Sequence, residues 1–331
     1  NHIEAIAEGT STTLFCSIME ADDLITCSLP KAPSMLGSCP VTEAPTNIQH
    51  QLYDIKQHAK SQELFSKVSQ RHQARLTALQ GKVPGLWLQV TPSGPNLSMP
   101  LLTFQDALRT RLGLGPHIKL AGRVCKCGTF FFDPAETDQF MWFLHLQKCP
   151  HLNGPSRCHN ACVGIIGECM RQTGHEVTAE PLHTFVEIDT PVDHKDKRAD
   201  LLVQGLDRGA VLLDVSITNP CASSVFEQAS RKRLSAANRR YREKMRKFDD
   251  LCRVNGYCFN PLVLETFGGL HSDILTLIAE ACQSREEVFD APSWTSPTMT
   301  AYYINCLAVC LQKETARYVR TLAMKARHRV D

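Results

Sequence analysis

The stretch that most constrains the fold of this chain is KRADLLVQGLDRGAVLLDVSITNP, residues 197–220. Two apolar runs, DLLVQ and AVLLDVSI, flank the turn sequence GLDRG and read as a β-hairpin. In the second run side chains alternate between faces: Val211, Leu213 and Val215 point one way, and Leu212, Asp214 and Ser216 the other. A carboxylate within such a strand is costly unless it is paired or holds a cation. Asp200 heads the adjoining strand, so pairing would bring Asp200 and Asp214 together at the open end of the hairpin. Two carboxylates completed by waters and one further oxygen suit the octahedral preference of Mg²⁺. The plainer alternative has Asp200 capping a turn and Asp214 solvated at a sheet edge.

The surroundings read as a mixed α/β core. Helices are expected over 46–80, over 103–113 (with Thr103 as cap and Asp106 three residues on), from 159 to a stop at Gly174, over 226–253, from about 271, and over 299–326. Further strands are expected at TFVEID (184–189) and YCFNPLVLET (257–266). The Ser/Thr/Pro-rich residues 1–45 read as an irregular linker, 46–120 as a helical linker region and 121–155 as a Cys/His segment. Residues 156–285 read as the α/β domain, and 286–331 as a linker with a C-terminal helix. Hydrophobic residues are 43% of the 331, enough for a sizeable core. No apolar run approaches the length of a bilayer span, so no transmembrane helix and no membrane partner is expected. The chain opens on Asn1 rather than Met and reads as a piece of a longer product.

Net charge is only +2, but charge is concentrated locally. RKRLSAANRRYREKMRKF, residues 231–248, carries nine Lys/Arg against one Glu. A basic helix with so few acids suits an anionic partner, although charge runs are also ordinary solvated faces. Arg231, Lys232, Arg239, Arg240 and Arg242 are the candidate phosphate contacts. Lys244 and Lys247 lie three apart and so are neighbours on the helix.

The 15 cysteines form no compact disulfide pattern, which points to a reducing compartment. Cys125, Cys127, His145 and Cys149 offer thiolates and an imidazole, the donors of tetrahedral zinc. Ordinary buried thiols are the alternative reading, and His151, Cys158 and Cys162 are further possible ligands.

The order RADLLVQ, VLLDVSITNP, EKMRKFDDL, GYCFNPLVLETFGG resembles the restriction-endonuclease-like domain near the C-terminus of some non-LTR retroelement reverse transcriptases and related orphan open reading frames. That family is similar to the PD-(D/E)xK nucleases. The resemblance spans about residues 70–325 and is most specific at 198–269. It implies a restriction-endonuclease-like core with a small mixed sheet flanked by helices, preceded by a zinc knuckle at Cys125, Cys127, His145 and Cys149. It implies Mg²⁺ (or Mn²⁺) held by Asp200 and Asp214, with DNA as substrate and element RNA as a possible further partner. The lysine expected at position 216 is Ser216, and the family moves it to the following helix before an aromatic. That correspondence selects Lys247, before Phe248, with Lys244 in reserve. Glu180, or Glu168, would be an assisting acid. His159 and Asn160 match the family's motif at the start of the first nuclease helix, with no role assigned. Ala199 stands where the family has Pro, Cys158 where it has Arg, and Phe248 where it has Tyr. The implied activity is nicking of target DNA to prime an upstream reverse transcriptase domain, in the nucleus. The alternatives are a binding module without turnover and a decayed copy.

Overall fold

A computed structural model describes residues 48–132, 138–149, 154–181, 199–283 and 285–328. The strand expected at 184–189, the irregular segment 1–45 and His151 lie outside these residues. The chain divides into two units, residues 1–69 and 70–331. The described part of the first contains helix α1, Ile48–Lys67, where Glu63 and Lys67 form an ion pair one turn apart. The helix expected over 46–80 is therefore two, since α2, Gln70–Ala78, belongs to the second unit.

In the second unit the chain continues through α3 (Leu101–Arg111), β1 (Arg123–Val124), α4 (Gln139–Lys148), α5 (Gly154–Gln172) and β2 (Glu176–Ala179). The hairpin follows as β3 (Leu201–Leu206) and β4 (Gly209–Thr218), then α6 (Phe226–Arg231), α7 (Ser235–Val254) and β5 (Cys258–Glu265). The last elements are α8 (Ser272–Gln283), α9 (Met299–Lys325) and β6 (Arg327–His328). The fold is mixed α/β: a four-stranded mixed sheet, ordered β2-β3-β4-β5, flanked by helices. β2, β3 and β4 run antiparallel, and β5 joins β4 in parallel after the α6–α7 crossover. Pro261 lies in β5, an outer strand, where a missing N–H is tolerated.

The alternation read from β4 governs the packing. Val211, Leu213 and Val215 join the main core, with Cys162, Ile166 and Cys169 of α5, Ile274 and Leu277 of α8, and Leu307 and Leu311 of α9. Leu212 faces the other side, in a smaller cluster with Leu202, Phe248, Cys252 and Phe259. The C-terminal helix is thus a central core element, because its Cys306, Leu307, Leu311, Val319 and Leu322 are all buried.

Two local expectations are corrected. Thr103 does not cap α3: the helix begins after Pro100, and Thr103 and Asp106 are buried inside it. Asp106 instead bonds Arg320 at 2.8 Å, which satisfies its buried charge. The basic helix over 226–253 is broken. Leu234 adopts φ 55 between α6 and α7, so Arg231 and Lys232 lie outside the helix that carries Arg239 to Lys247. Residues 176–179, just past the helix stop at Gly174 and with no element assigned from the sequence, form strand β2.

Leu234 gives α7 no side-chain cap. The cap comes from across the fold, where Glu265 Oε1 accepts the Ala237 N–H at 3.1 Å. Glu265 is fully buried, and burial pushes its carboxyl up to about 7. A carboxyl that holds its proton longer in the folded state favours unfolding as pH rises from its ordinary range near 4.5 to about 7. The expected loss across that window is on the order of 3 kcal/mol. Glu265→Gln keeps an acceptor for Ala237 and cannot ionise. Urea midpoints of the variant should therefore depend less on pH between 5 and 8 than those of the wild type, and a variant with an unchanged slope would contradict the assignment.

Candidate carboxylate and metal centres

β3 and β4 pair Leu201 with Leu213 and Leu202 with Leu212. Asp200 stands one residue beyond that ladder, at the same level of the sheet as Asp214. Its Oδ2 accepts the Val215 N–H at 2.6 Å. Like charges facing each other across a sheet repel, and each carboxylate here meets a cation. His159, from the first half of α5, directs Nε2 at Asp200 Oδ2 (3.1 Å) and at the Val215 carbonyl (3.0 Å), and Nδ1 at Asn160 Oδ1 (3.1 Å). All three partners are acceptors, so both ring nitrogens carry hydrogens. The Asp200 hydrogen bond raises the imidazole to about 9.

Asp214 is half-buried, and burial raises its carboxyl above the usual range. The ammonium of Lys244 lies directly against its Oδ2. The reason is helical spacing. Lys244, Phe248 and Cys252 follow at i, i+4 and i+8, one stripe of α7. Phe248 and Cys252 pack over Leu212, two residues before Asp214 on the same strand face. One turn earlier, the same stripe presents Lys244. Lys247 lies off that stripe: it is exposed, with its ammonium 5.3 Å from the centroid of the Phe248 ring. The lysine brought to the carboxylate is therefore Lys244, the reserve candidate from the sequence, and not Lys247, the first choice.

Asp214, His159, Asn160, Lys244 and Arg240 line one pocket of about 540 Å³. It opens beyond the C-terminal end of β4, where ligands of α/β sheets commonly bind. Gly154, Pro155 and Ser156, the first turn of α5, form another part of its wall. Glu180 does not line it. Its N–H bonds the Asp200 carbonyl at 2.9 Å, but it turns the chain at φ 43 and its side chain is exposed. Glu168 faces Arg171 and Gln172 on α5. Of the basic residues, Arg240 reaches the pocket, while Glu243 engages both Arg239 (3.0 Å) and Arg240 (3.5 Å). Arg231, Lys232 and Arg242 are exposed outside its lining.

The second centre lies on the neighbouring wall. Cys125, Cys127, His145 and Cys149 place one ligand atom each within 4.8 Å of one another, a cluster that can hold a metal such as zinc. The separations are 3.6 Å for Cys125–Cys149 and 3.3 Å for Cys127–His145. A tetrahedron with metal–sulfur bonds near 2.3 Å has edges of about 3.8 Å, so the donors are close to ligating positions. A tight turn allows the short Cys-x-Cys spacing: Gly128, at φ 89, donates to the Cys125 carbonyl. The helical half comes from the last turn of α4, and burial lowers His145, which favours the neutral imidazole a metal needs. Cys158 and Cys162 lie in the main core instead.

The two centres share walls. Gln147 and Lys148, between the ligands His145 and Cys149, line the pocket of Asp214. Gln147 Oε1 accepts from Asn219 at 2.5 Å, just beyond β4. The hydroxyl of Tyr318 on α9 bonds the Cys149 carbonyl. Its ring fills the space at Gly154, where a Cβ would stand 1.6 Å from it. β6 pairs with β1, tying the end of α9 to the Cys-x-Cys turn. Sequence reasoning missed Gln147, Lys148 and Glu265. A signal for Lys148 was present in its position between two ligands.

A scan against models of known protein families and a search of curated proteins both returned no match to this chain. Among the described residues no helix is long and apolar enough to cross a membrane.

Proposed function

We propose that residues 70–331 act as a Mg²⁺- or Mn²⁺-dependent DNA endonuclease with a restriction-endonuclease-like core. In this reading the chain is the C-terminal part of a retroelement protein that nicks chromosomal target DNA in the nucleus and leaves a 3′ hydroxyl for an upstream reverse transcriptase domain. The observation that carries it is the placement of Asp200, one residue beyond the ladder, at the level of Asp214, with Lys244 against Asp214 in a pocket that also holds Arg240.

Asp200 and Asp214 are oxygen donors suited to a hard divalent ion. The ion, when bound, would polarise the phosphodiester and acidify an attacking water. Lys244 would stabilise the charge that develops on the phosphate in the transition state. Arg240 and Lys148 would hold neighbouring phosphates. The Cys/His cluster, with four donors and no open position, would be structural.

One observation favours a second reading, nucleic-acid binding without turnover. Both carboxylates already face a cation of the protein, His159 for Asp200 and Lys244 for Asp214. Manganese binding separates the two. The nuclease reading expects a Mn²⁺ site, seen by electron paramagnetic resonance in zinc-loaded protein, that Asp214→Ala abolishes. If wild type and variant take up Mn²⁺ equally, the carboxylates hold no ion and the binding-only reading stands.

A further inference from the structure

We infer that His159 is the positioning residue of this centre: it fixes Asp200 in the orientation that lets its second oxygen meet a divalent cation. The inference rests on the proposed metal-dependent reading and adds the residue that holds the first ligand in place.

Asp200 lies before β3, outside the strand ladder, so pairing alone does not orient its side chain. Two donors do so, the Val215 N–H at 2.6 Å and His159 Nε2 at 3.1 Å, and both act on Oδ2. Among the described residues no protein donor reaches Oδ1, which leaves that oxygen for a cation. The Val215 bond ties Asp200 to the residue after Asp214, so the carboxylates are set relative to each other through one strand. His159 also bonds the Val215 carbonyl at 3.0 Å, so it holds both sides of the link. The ring is itself fixed: α5 is anchored through its buried core residues, and Asn160 Oδ1 accepts from Nδ1 at 3.1 Å. His159 lines the pocket and bonds Asp200, which is not itself among the lining residues; such a hydrogen-bonded neighbour is what orients metal-ligating carboxylates elsewhere.

The test compares His159→Ala and His159→Gln with wild type, all zinc-loaded. The readouts are Mn²⁺ binding by electron paramagnetic resonance and the Mn²⁺ concentration for half-maximal nicking. Thermal midpoints confirm folding. His159→Ala should weaken Mn²⁺ binding about 10–100-fold and raise the half-maximal concentration in parallel. His159→Gln, whose amide N–H can still reach Asp200, should recover most of the loss in both. A folded His159→Ala with unchanged Mn²⁺ binding would overturn the inference, as would a folded Gln variant no better than Ala. If wild type takes up no Mn²⁺ sensitive to Asp214→Ala, the metal-dependent reading fails and this inference falls with it. Mn²⁺ binding by wild type with no effect of His159→Ala defeats the inference alone.

Discussion

Lys244→Ala is expected to lower Mg²⁺-dependent nicking by about 10²–10³-fold, the usual cost of losing one positioned charge-stabilising group. Lys247→Ala should stay within about threefold of wild type. The contrast follows from the α7 stripe. Lys244 meets Asp214 because Phe248 and Cys252 seat the same face of the helix on Leu212. Lys247 points to solvent beside Phe248. Single-turnover nicking at saturating DNA separates the chemical step from binding. A loss confined to Lys247→Ala would return the role to that residue and contradict the geometry described above.

Stripping zinc should have the largest effect on stability. The four donors join β1, its following turn and the end of α4, around which Phe131, Phe140, Phe143 and Leu146 are buried. Structural zinc sites contribute about 10–16 kcal/mol of apparent binding free energy, gained only by the folded state. Even about 4 kcal/mol of that would lower the unfolding midpoint by roughly 7 °C in a unit of this size. Cys149→Ser, or treatment with a strong chelator, should produce this shift in calorimetry, and added zinc should reverse it for the wild type only. Because Gln147 and Lys148 sit between two ligands and line the pocket, DNA affinity should fall with the zinc. An unchanged midpoint in chelator would mean that the cluster is a set of ordinary thiols.

The elements governed by local periodicity were legible in the sequence. The hairpin, the sorting of Leu213 and Asp214 to opposite faces, α5 with its stop at Gly174, and the long C-terminal helix all follow from apolar spacing and turn residues. Features set by tertiary contact were not. The helix break at Leu234 depends on Glu265, 31 positions further along, whose carboxylate caps α7. The choice between Lys244 and Lys247 depends on which face of α7 meets the sheet. The i, i+4, i+8 series Lys244, Phe248, Cys252 would have indicated it, whereas a family pattern of lysine before an aromatic pointed three residues too far. Asp200 and Asp214 were legible as a pair because Asp214 sits inside an apolar strand, where a carboxylate needs a partner, and Asp200 heads the strand that pairs with it. Their cation partners come from α5 and α7, and His159 carried no periodic signal of its contact with Asp200.

The central claim is that this carboxylate pair supports metal-dependent cleavage. Its most direct test is nicking of supercoiled plasmid by the zinc-loaded chain in Mg²⁺ or Mn²⁺, beside Asp214→Ala. Open-circular product from the wild type, absent without the divalent ion and absent with Asp214→Ala, is the predicted result. Equal nicking by both proteins, or none by either while both retard DNA in a gel, would contradict it.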